Sequence, residues 1–124
     1  EVANEQVVFL GSVYDRITTD ALRFHCSLYI HGHTVGGTNP TLVESMGAGC
    51  TILAQDNLYN RWVLDDCATF FKTEDCCRKQ IDLLLQNQPR ADELGRQHQA
   101  RCKKVFNWPF VLDQYRALLV QITQ

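Results

Sequence analysis

The stretch HGHTVGGTNPTLVESMGAGC, from His31 to Cys50, predicts the end of a strand, a glycine loop and a short helix. Asn39 is the expected N-cap of that helix, because its side-chain oxygen accepts a hydrogen bond from an orphan backbone N–H. Pro40 follows at the first helical position, where its missing N–H costs nothing. Gly36 and Gly37 precede the cap, and backbone without side chains comes close to a ligand there.

The start of this helix is a candidate site for an anion, because unpaired amides and the positive end of the helix dipole meet there. Glu44 lies four residues after Pro40 on the same face, and helical side chains lean toward the N-terminus. We therefore expect one end of a ligand to meet amides and the other to meet the Glu44 carboxylate. A nucleotide, with phosphates and ribose hydroxyls, fits both demands. The same residues also fit an ordinary strand–loop–helix joint with a surface glutamate.

Short apolar runs alternate with helical patterns on both sides of this stretch. Strands are predicted at Val7–Leu10, Ser27–Ile30, Cys50–Ala54 and Ala68–Phe71. Helices are predicted over Thr18–His25 (capped by Thr18 or Thr19), after Asn39, over Arg61–Asp65, over Glu74–Gln86 after a Thr73 cap, from Pro89 to about Val105, and from Trp108 onward. Such alternation is typical of parallel strands joined by right-handed crossovers. We expect one α/β domain over residues 1–124, with a Rossmann-like parallel sheet of about four strands and flanking helices in a core at 7–71. A helical extension at 74–124 follows the core.

Open sheets of this kind bind ligands beyond the carboxyl ends of their strands. Three loops are expected at that edge, namely Gly11–Asp15, His31–Asn39 and Gln55–Asn60. The second is the richest in glycine and capping residues, which makes it the predicted site. Its two histidines, His31 and His33, are too few for a closed metal site, and they either face a phosphate or sugar or simply fill the loop.

The composition limits the class of protein. The chain has 124 residues, 45% of them hydrophobic and 21% charged, and a net charge of -2, which argues against a dedicated nucleic-acid or anionic-membrane surface. No apolar run approaches the ~18 residues of a membrane span. The six cysteines lack zinc-type spacing, so we expect reduced thiols and a cytoplasmic protein, with peripheral attachment to the inner face of the membrane as an alternative.

The order of the motifs VVFLGSVYD, SLYIHGHTVGGTNPTLVESMGAGC and TILAQDN resembles the carboxyl-terminal half of GT-B glycosyltransferases of family four. The resemblance covers roughly residues 7–71, and the helix from Trp108 is similar to the closing helix of that family. LVESMGAG with TILAQD downstream is the specific part. GGTNP is similar to bacterial sugar transferases of surface-polysaccharide pathways, rhamnosyltransferases among them.

The resemblance implies a retaining transfer of a sugar from a nucleotide-diphosphate sugar to a glycan or lipid-linked acceptor. It implies no metal and no further cofactor, and the sequence has no Asp-x-Asp motif. Glu44 matches the glutamate that holds the ribose hydroxyls, and Gly11, Val13 and Asp15 match the loop along the base. The donor-binding residues predicted in this way are Gly11, Val13, Asp15, His33, Gly36, Gly37, Thr38, Asn39 and Glu44. No catalytic residue is assigned.

Two departures from the family pattern bear on activity. Gly36 stands where the family usually has a first glutamate, eight positions before Glu44, and Thr38 is the nearest polar candidate for the donor sugar. The unit that supplies the family's phosphate-binding Arg and Lys, and the amino-terminal acceptor domain, are not in this sequence. We therefore expect a part of a donor domain that is inactive alone and either needs that missing domain or forms a homodimer. The alternative is a non-catalytic Rossmann-like nucleotide-binding or regulatory module.

Overall fold

The computed structural model describes residues 6–123, which form an α/β fold with a small parallel sheet. The strands are β1 Tyr29–His31, β2 Ile52–Gln55 and β3 Thr69–Phe71. The helices are α1 Arg16–His25, α2 Pro40–Gly47, α3 Leu58–Leu64, α4 Glu74–Gln86, α5 Gln88–Val105 and α6 Trp108–Ile122, and a 3-10 turn Asp65–Cys67 follows α3. None of the helices within residues 6–123 combines the length and the hydropathy of a membrane span.

The three strands lie in the order β1-β2-β3, and both pairs are parallel. Tyr29 is opposite Ile52 in the first pair, and Leu53 is opposite Thr69 in the second. The predicted parallel α/β architecture with flanking helices and a carboxyl-terminal helix is therefore confirmed. The predicted count of about four strands is wrong, since the sheet has three.

The missing strand is the predicted run Val7–Leu10, which lies outside the sheet. Its four side chains are exposed by 44% to 74%. An uninterrupted apolar run forms a buried parallel strand only if other layers cover both of its faces. No element within residues 6–123 buries this run. The strand was predicted from composition alone, and composition does not show whether neighbouring layers are present.

Side-chain caps decide where several helices begin. Asn39 caps α2 by accepting a hydrogen bond from the Thr41 N–H at 3.0 Å, as predicted. Asp15, rather than Thr18 or Thr19, caps α1. Asn57 caps α3, which therefore begins at Leu58 and not at Arg61.

Strand β2 is the centre of the core, because helices cover both faces of the sheet. Leu53 packs with Leu84 and Leu94 on one side. The residues buried on the other side come from α2, β2, α3 and the turn before β2 and are Leu42, Met46, Cys50, Ile52, Ala54, Val63 and Leu64. A parallel sheet needs this cover on both faces, which explains the continuous apolar sequence of β2.

Helix α5 is fixed to the start of β2 by buried polar contacts. His98 Nδ1 lies 2.9 Å from the Cys50 carbonyl oxygen, and the Thr51 hydroxyl donates to the Ala91 carbonyl at 2.8 Å. Burial lowers the pKa of His98, against the opposing effect of the Cys50 carbonyl. The neutral imidazole is therefore the form that the fold selects.

Helix α5 also approaches the chain closely at Gly95. A Cβ placed on Gly95 would collide with the carbonyl oxygen of Gly49. Gly49 itself has φ +80°, a backbone conformation that favours glycine. Two glycines thus allow α5 to lie directly on the turn between α2 and β2.

The charge run Arg101–Lys104 predicts a helix face that is exposed to solvent. The Arg101 side chain instead contacts α3. Its guanidinium donates to the carbonyl oxygens of Trp62 and Val63, each at 2.8 Å, and to Asp65 at 2.8 Å. Carbonyl groups at a helix C-terminus have no intrahelical partner, so Arg101 satisfies the end of α3. The Arg101 side chain thus links α5 to the C-terminal end of α3.

Candidate ligand site at the carboxyl edge of the sheet

The carboxyl end of β1 carries two stacked histidines. The His31 and His33 rings lie 4.7 Å apart with an interplanar angle of 20°. His31 is 1% exposed, and its Nε2 has no hydrogen-bond partner among residues 6–123. Burial, and secondarily the neighbouring His33, lower the pKa of His31. The edge of the sheet therefore presents a neutral, buried imidazole beneath an exposed one.

The phenol of Tyr29 connects this strand to the first turn of α2. Its oxygen lies 3.5 Å from His31 Nδ1 and donates to the Thr41 hydroxyl at 3.3 Å. Thr41 in turn donates from its hydroxyl to the Asn39 side chain at 2.7 Å. The histidine pair and the helix start are thus parts of one hydrogen-bonded unit.

Two amides from the neighbouring α3 fix the loop that follows His33. The His33 carbonyl accepts from Asn57 Nδ2 at 2.9 Å and from Asn60 Nδ2 at 3.1 Å. Asn60 is 3% exposed and also donates to the Gln55 carbonyl at 2.9 Å. Asn57 therefore caps α3 and also holds the loop after His33. Asn60 had no local sequence signal, because its partners lie 27 and 5 positions away.

The start of α2 offers fewer free donors than its sequence predicts. The N–H groups of Leu42 and Val43 lie 3.1 and 3.2 Å from the Asn39 carbonyl oxygen, and the Thr41 N–H bonds the Asn39 side chain. The expected unpaired amides of this first turn are therefore satisfied within the chain. What remains for an anion is the helix dipole and the exposed glycine loop before the cap.

The glycine loop is open to solvent. Gly36 has φ +119°, and no atom lies within 4 Å of a Cβ built on Gly36 or Gly37. The two glycines therefore border open space, and they do not accommodate a close contact with another part of the chain. Thr38 follows, on the border between two cavities.

Two cavities flank this loop. One of about 640 Å³ is lined by Thr38, Pro40, Val43, Glu44, Phe106 and Trp108, among others. The second, of about 430 Å³, is mainly apolar and is lined by Gly37, Thr38, Leu58, Tyr59 and Trp62. Both have the size of small-molecule sites. Trp62 and Trp108 are 59% and 76% exposed along these cavities.

Glu44 is held by a residue that the sequence did not single out. Its Oε2 lies 2.7 Å from Arg23 Nη2, and the Arg23 side chain is only 17% exposed. Glu44 remains 54% exposed and lines the same cavity as Thr38 and Pro40. The partnership joins α1 to α2 over 21 positions, which no local pattern reveals.

The predicted residues of the first loop lie apart from the glycine loop. Asp15 Oδ2 accepts from the Thr18 hydroxyl at 2.6 Å and the Thr18 N–H at 2.8 Å, and these bonds lower the pKa of Asp15. Gly11 is exposed with φ +67°, and Val13 is half-buried. The structure does not bring these three residues to the two cavities beside the glycine loop.

The acidic residue after β2 is also engaged within the chain. The hydrogen bond from Arg61 to Asp56, 2.9 Å between Nη2 and Oδ2, is the main cause that lowers the pKa of Asp56. Lys72 lies 3.7 Å from the same carboxylate, and the Arg61 guanidinium lies over the Phe70 ring. The Arg61 guanidinium thus contacts a carboxylate and an aromatic ring of the same chain. Within residues 6–123, no group of three or more His, Cys, Asp or Glu side chains could hold a metal ion.

Comparison of the chain with protein-family models, with curated proteins and with solved structures finds no match.

Proposed function

We propose that the chain is the donor-binding part of a retaining glycosyltransferase that transfers a sugar from a nucleotide-diphosphate sugar to a glycan or lipid-linked acceptor. One observation carries the proposal. Glu44, Thr38 and Pro40 line a single cavity of about 640 Å³ at the start of α2, which follows the glycine loop at the carboxyl end of β1. A carboxylate and a helix dipole at one cavity suit the ribose and the diphosphate of such a donor.

Arg23 has a positioning role in this proposal. It holds Glu44 Oε2 at 2.7 Å, and a carboxylate has further lone pairs with which it accepts hydrogen bonds from ribose hydroxyls. The α2 dipole then stabilises negative charge on the leaving diphosphate, in the way that preorganised dipoles do in enzymes. Thr38, which lines the cavity, is the polar side chain that we assign to the donor sugar, because Gly36 offers none. His33 follows β1 in the same loop and is the second candidate.

We further propose that the domain is part of a GT-B carboxyl-terminal half in a cytoplasmic protein. The exposed apolar side chains of Val7–Leu10 and of α6 support this view, because such surfaces are normally covered by another unit. The missing amino-terminal domain would cover them in the complete enzyme, and a second copy would do so in a homodimer. The fragment by itself is inactive in either case.

The test is a calorimetric screen of nucleotide sugars against the full-length protein that contains this chain, followed by Glu44→Gln. We expect the substitution to weaken donor binding by about 10- to 100-fold, since hydrogen bonds to charged groups contribute ~1.5–3 kcal/mol. Glu93→Gln is the matched control. Glu93 is also a half-exposed helical glutamate with an arginine partner, Arg96 at 2.9 Å, but it lies on α5.

Equal losses in both variants, or none in either, would contradict the role of Glu44. Failure of every nucleotide sugar to bind would contradict the function itself.

The second candidate function is a non-catalytic nucleotide-binding or regulatory module. The satisfied amides of Thr41, Leu42 and Val43 favour it, because they leave few donors for a diphosphate. Binding of the nucleotide without any transfer of the sugar by the full-length protein would identify this module.

A further inference from the structure

Two cysteines from separate elements meet behind the candidate site. Cys26 directly follows α1 and Cys50 precedes β2, and their sulfur atoms lie 3.8 Å apart. Each thiol also lies 3.1 Å from the carbonyl oxygen of Arg23. Residues 24 positions apart in the chain thus share one backbone acceptor and face each other directly.

We propose that Cys26 and Cys50 form a reversible dithiol–disulfide pair that is oxidised by small disulfides such as oxidised glutathione. A disulfide needs a sulfur–sulfur distance of about 2.0 Å, so the two side chains must together close about 1.8 Å. The reversibility rests on the proposed cytoplasmic location, because disulfides there are transient and redox-sensing. Both thiols are free in the structure.

The two thiols differ in access, and this difference sets the order of the reaction. Cys26 is partly exposed and lines a cavity of about 360 Å³. Cys50 is 4% exposed, and burial raises the pKa of its thiol to about 12. Cys26 is therefore the first nucleophile and Cys50 the resolving thiol.

The two steps balance as an ordinary exchange. The Cys26 thiolate attacks one sulfur of oxidised glutathione, which forms a mixed disulfide and releases one glutathione thiolate. Deprotonated Cys50 then attacks the Cys26 sulfur, which forms the Cys26–Cys50 bond and releases the second glutathione. The protein loses two electrons and two protons, and glutathione disulfide is reduced to two thiols.

The bond would enclose the His31–Asn39 loop and Glu44 in a covalent loop. The segment between the two cysteines contains β1, the glycine loop and α2. The bond would also tie the end of α1, and with it Arg23, to the start of β2. Since Arg23 holds Glu44, oxidation would fix the position of the arginine relative to the sheet. The disulfide itself does not depend on which ligand the site binds.

Peptide mapping tests the proposal on the folded 124-residue chain. Arg23 and Arg61 bracket a tryptic peptide, residues 24–61, that contains Cys26 and Cys50 and no other cysteine. After treatment with oxidised glutathione and alkylation, we expect this peptide to carry no alkyl group, and to carry two after reduction. Cleavage after Glu44 should then leave two fragments that separate only on reduction. We also expect oxidation to raise the Tm by about 10 °C, as for a disulfide that closes a loop of this length.

Cys26→Ser should abolish both the protected peptide and the rise in Tm, whereas Cys50→Ser should retain glutathione on Cys26. Cys76→Ser is the matched control, because this partly exposed thiol lies on α4, and it should leave the result unchanged. Two alkyl groups on peptide 24–61 after oxidation, or a disulfide to any other cysteine, would overturn the proposal. Cys26→Ser decides the question even if Cys50→Ser does not fold.

Discussion

Strand β2 and helix α6 are both rich in aliphatic residues, yet their surroundings are opposite. Ile52, Leu53 and Ala54 of β2 are fully buried. Leu119 and Ile122 of α6 are 60% and 70% exposed, and no residue of α6 is buried. The apolar pattern thus predicts which face of an element tends to be buried. Whether that face is buried depends on the neighbouring layers of the fold. The difference shows which apolar side chains the described residues bury and which they leave exposed.

The sharpest test of this comparison is a pair of leucine truncations. Leu53→Ala should lower the free energy of unfolding by about 2–5 kcal/mol, because it removes a buried side chain between two helices. Leu119→Ala should change it by less than about 0.5 kcal/mol, because the side chain is exposed. Urea unfolding of both variants gives the measurement. A cost for Leu119→Ala similar to that for Leu53→Ala would show that α6 is packed in solution and would break the comparison.

The close approach of α5 to the start of β2 predicts the next largest effect. Gly95→Ala places a methyl group against the Gly49 carbonyl oxygen, and backbone cannot yield as a side chain does. We expect a loss of about 1–3 kcal/mol in the free energy of unfolding, the usual cost of overpacking.

Gly32→Ala is the control for this substitution, since its Cβ would meet no atom within 4 Å. Equal stability of the Gly95→Ala and Gly32→Ala proteins, determined by urea unfolding, would argue against the contact between α5 and Gly49.

A change of pH is expected to have a smaller effect on the free energy of unfolding. The effect comes from the two buried histidines of the core and not from an exposed one. Burial lowers the pKa of both His31 and His98, so the unfolded chain binds more protons than the folded one below about pH 6.5. Stability is therefore fully present above that pH and decreases as the pH falls toward the folded pKa values. The limiting slope is about 1.4 kcal/mol per pH unit for each histidine.

Urea unfolding at about pH 7.5 and about pH 5.5 measures this slope. His98→Gln should reduce it, because it removes one of the two buried imidazoles. His25→Gln should leave it unchanged, since His25 lies exposed at the end of α1. A slope that does not respond to His98→Gln would contradict the neutral, buried state of this histidine.

Local signals predicted the starts of α2 and α4 correctly, although they missed the caps of α1 and α3. Asn39, Thr73 and Pro40 act within a few residues of their own position, so their effect is readable from the sequence. The parallel direction of the strands was also predictable, because helices between successive strands carry the chain back across the sheet. The connection from β1 through the glycine loop into α2 was predictable to the same extent.

Long-range partners were not predictable. Nothing in the sequence near Glu44 indicates Arg23, and nothing near Arg101 indicates the carbonyl groups at the end of α3. The exposed state of Val7–Leu10 was likewise hidden, because its composition is that of a buried strand. In each case the outcome depends on which elements meet in space.

The sequence by itself determined the class of fold, the strand–loop–helix unit of His31–Cys50 and its Asn39 cap. These depend on side-chain periodicity and on hydrogen bonds that span a few residues. Only the tertiary structure decided that Glu44 is held by Arg23, that the first-turn amides of α2 are satisfied, and that Cys26 faces Cys50. Packing of the helices on both sides of β2 brings these groups together, and contacts between residues distant in the chain leave no trace in local pattern.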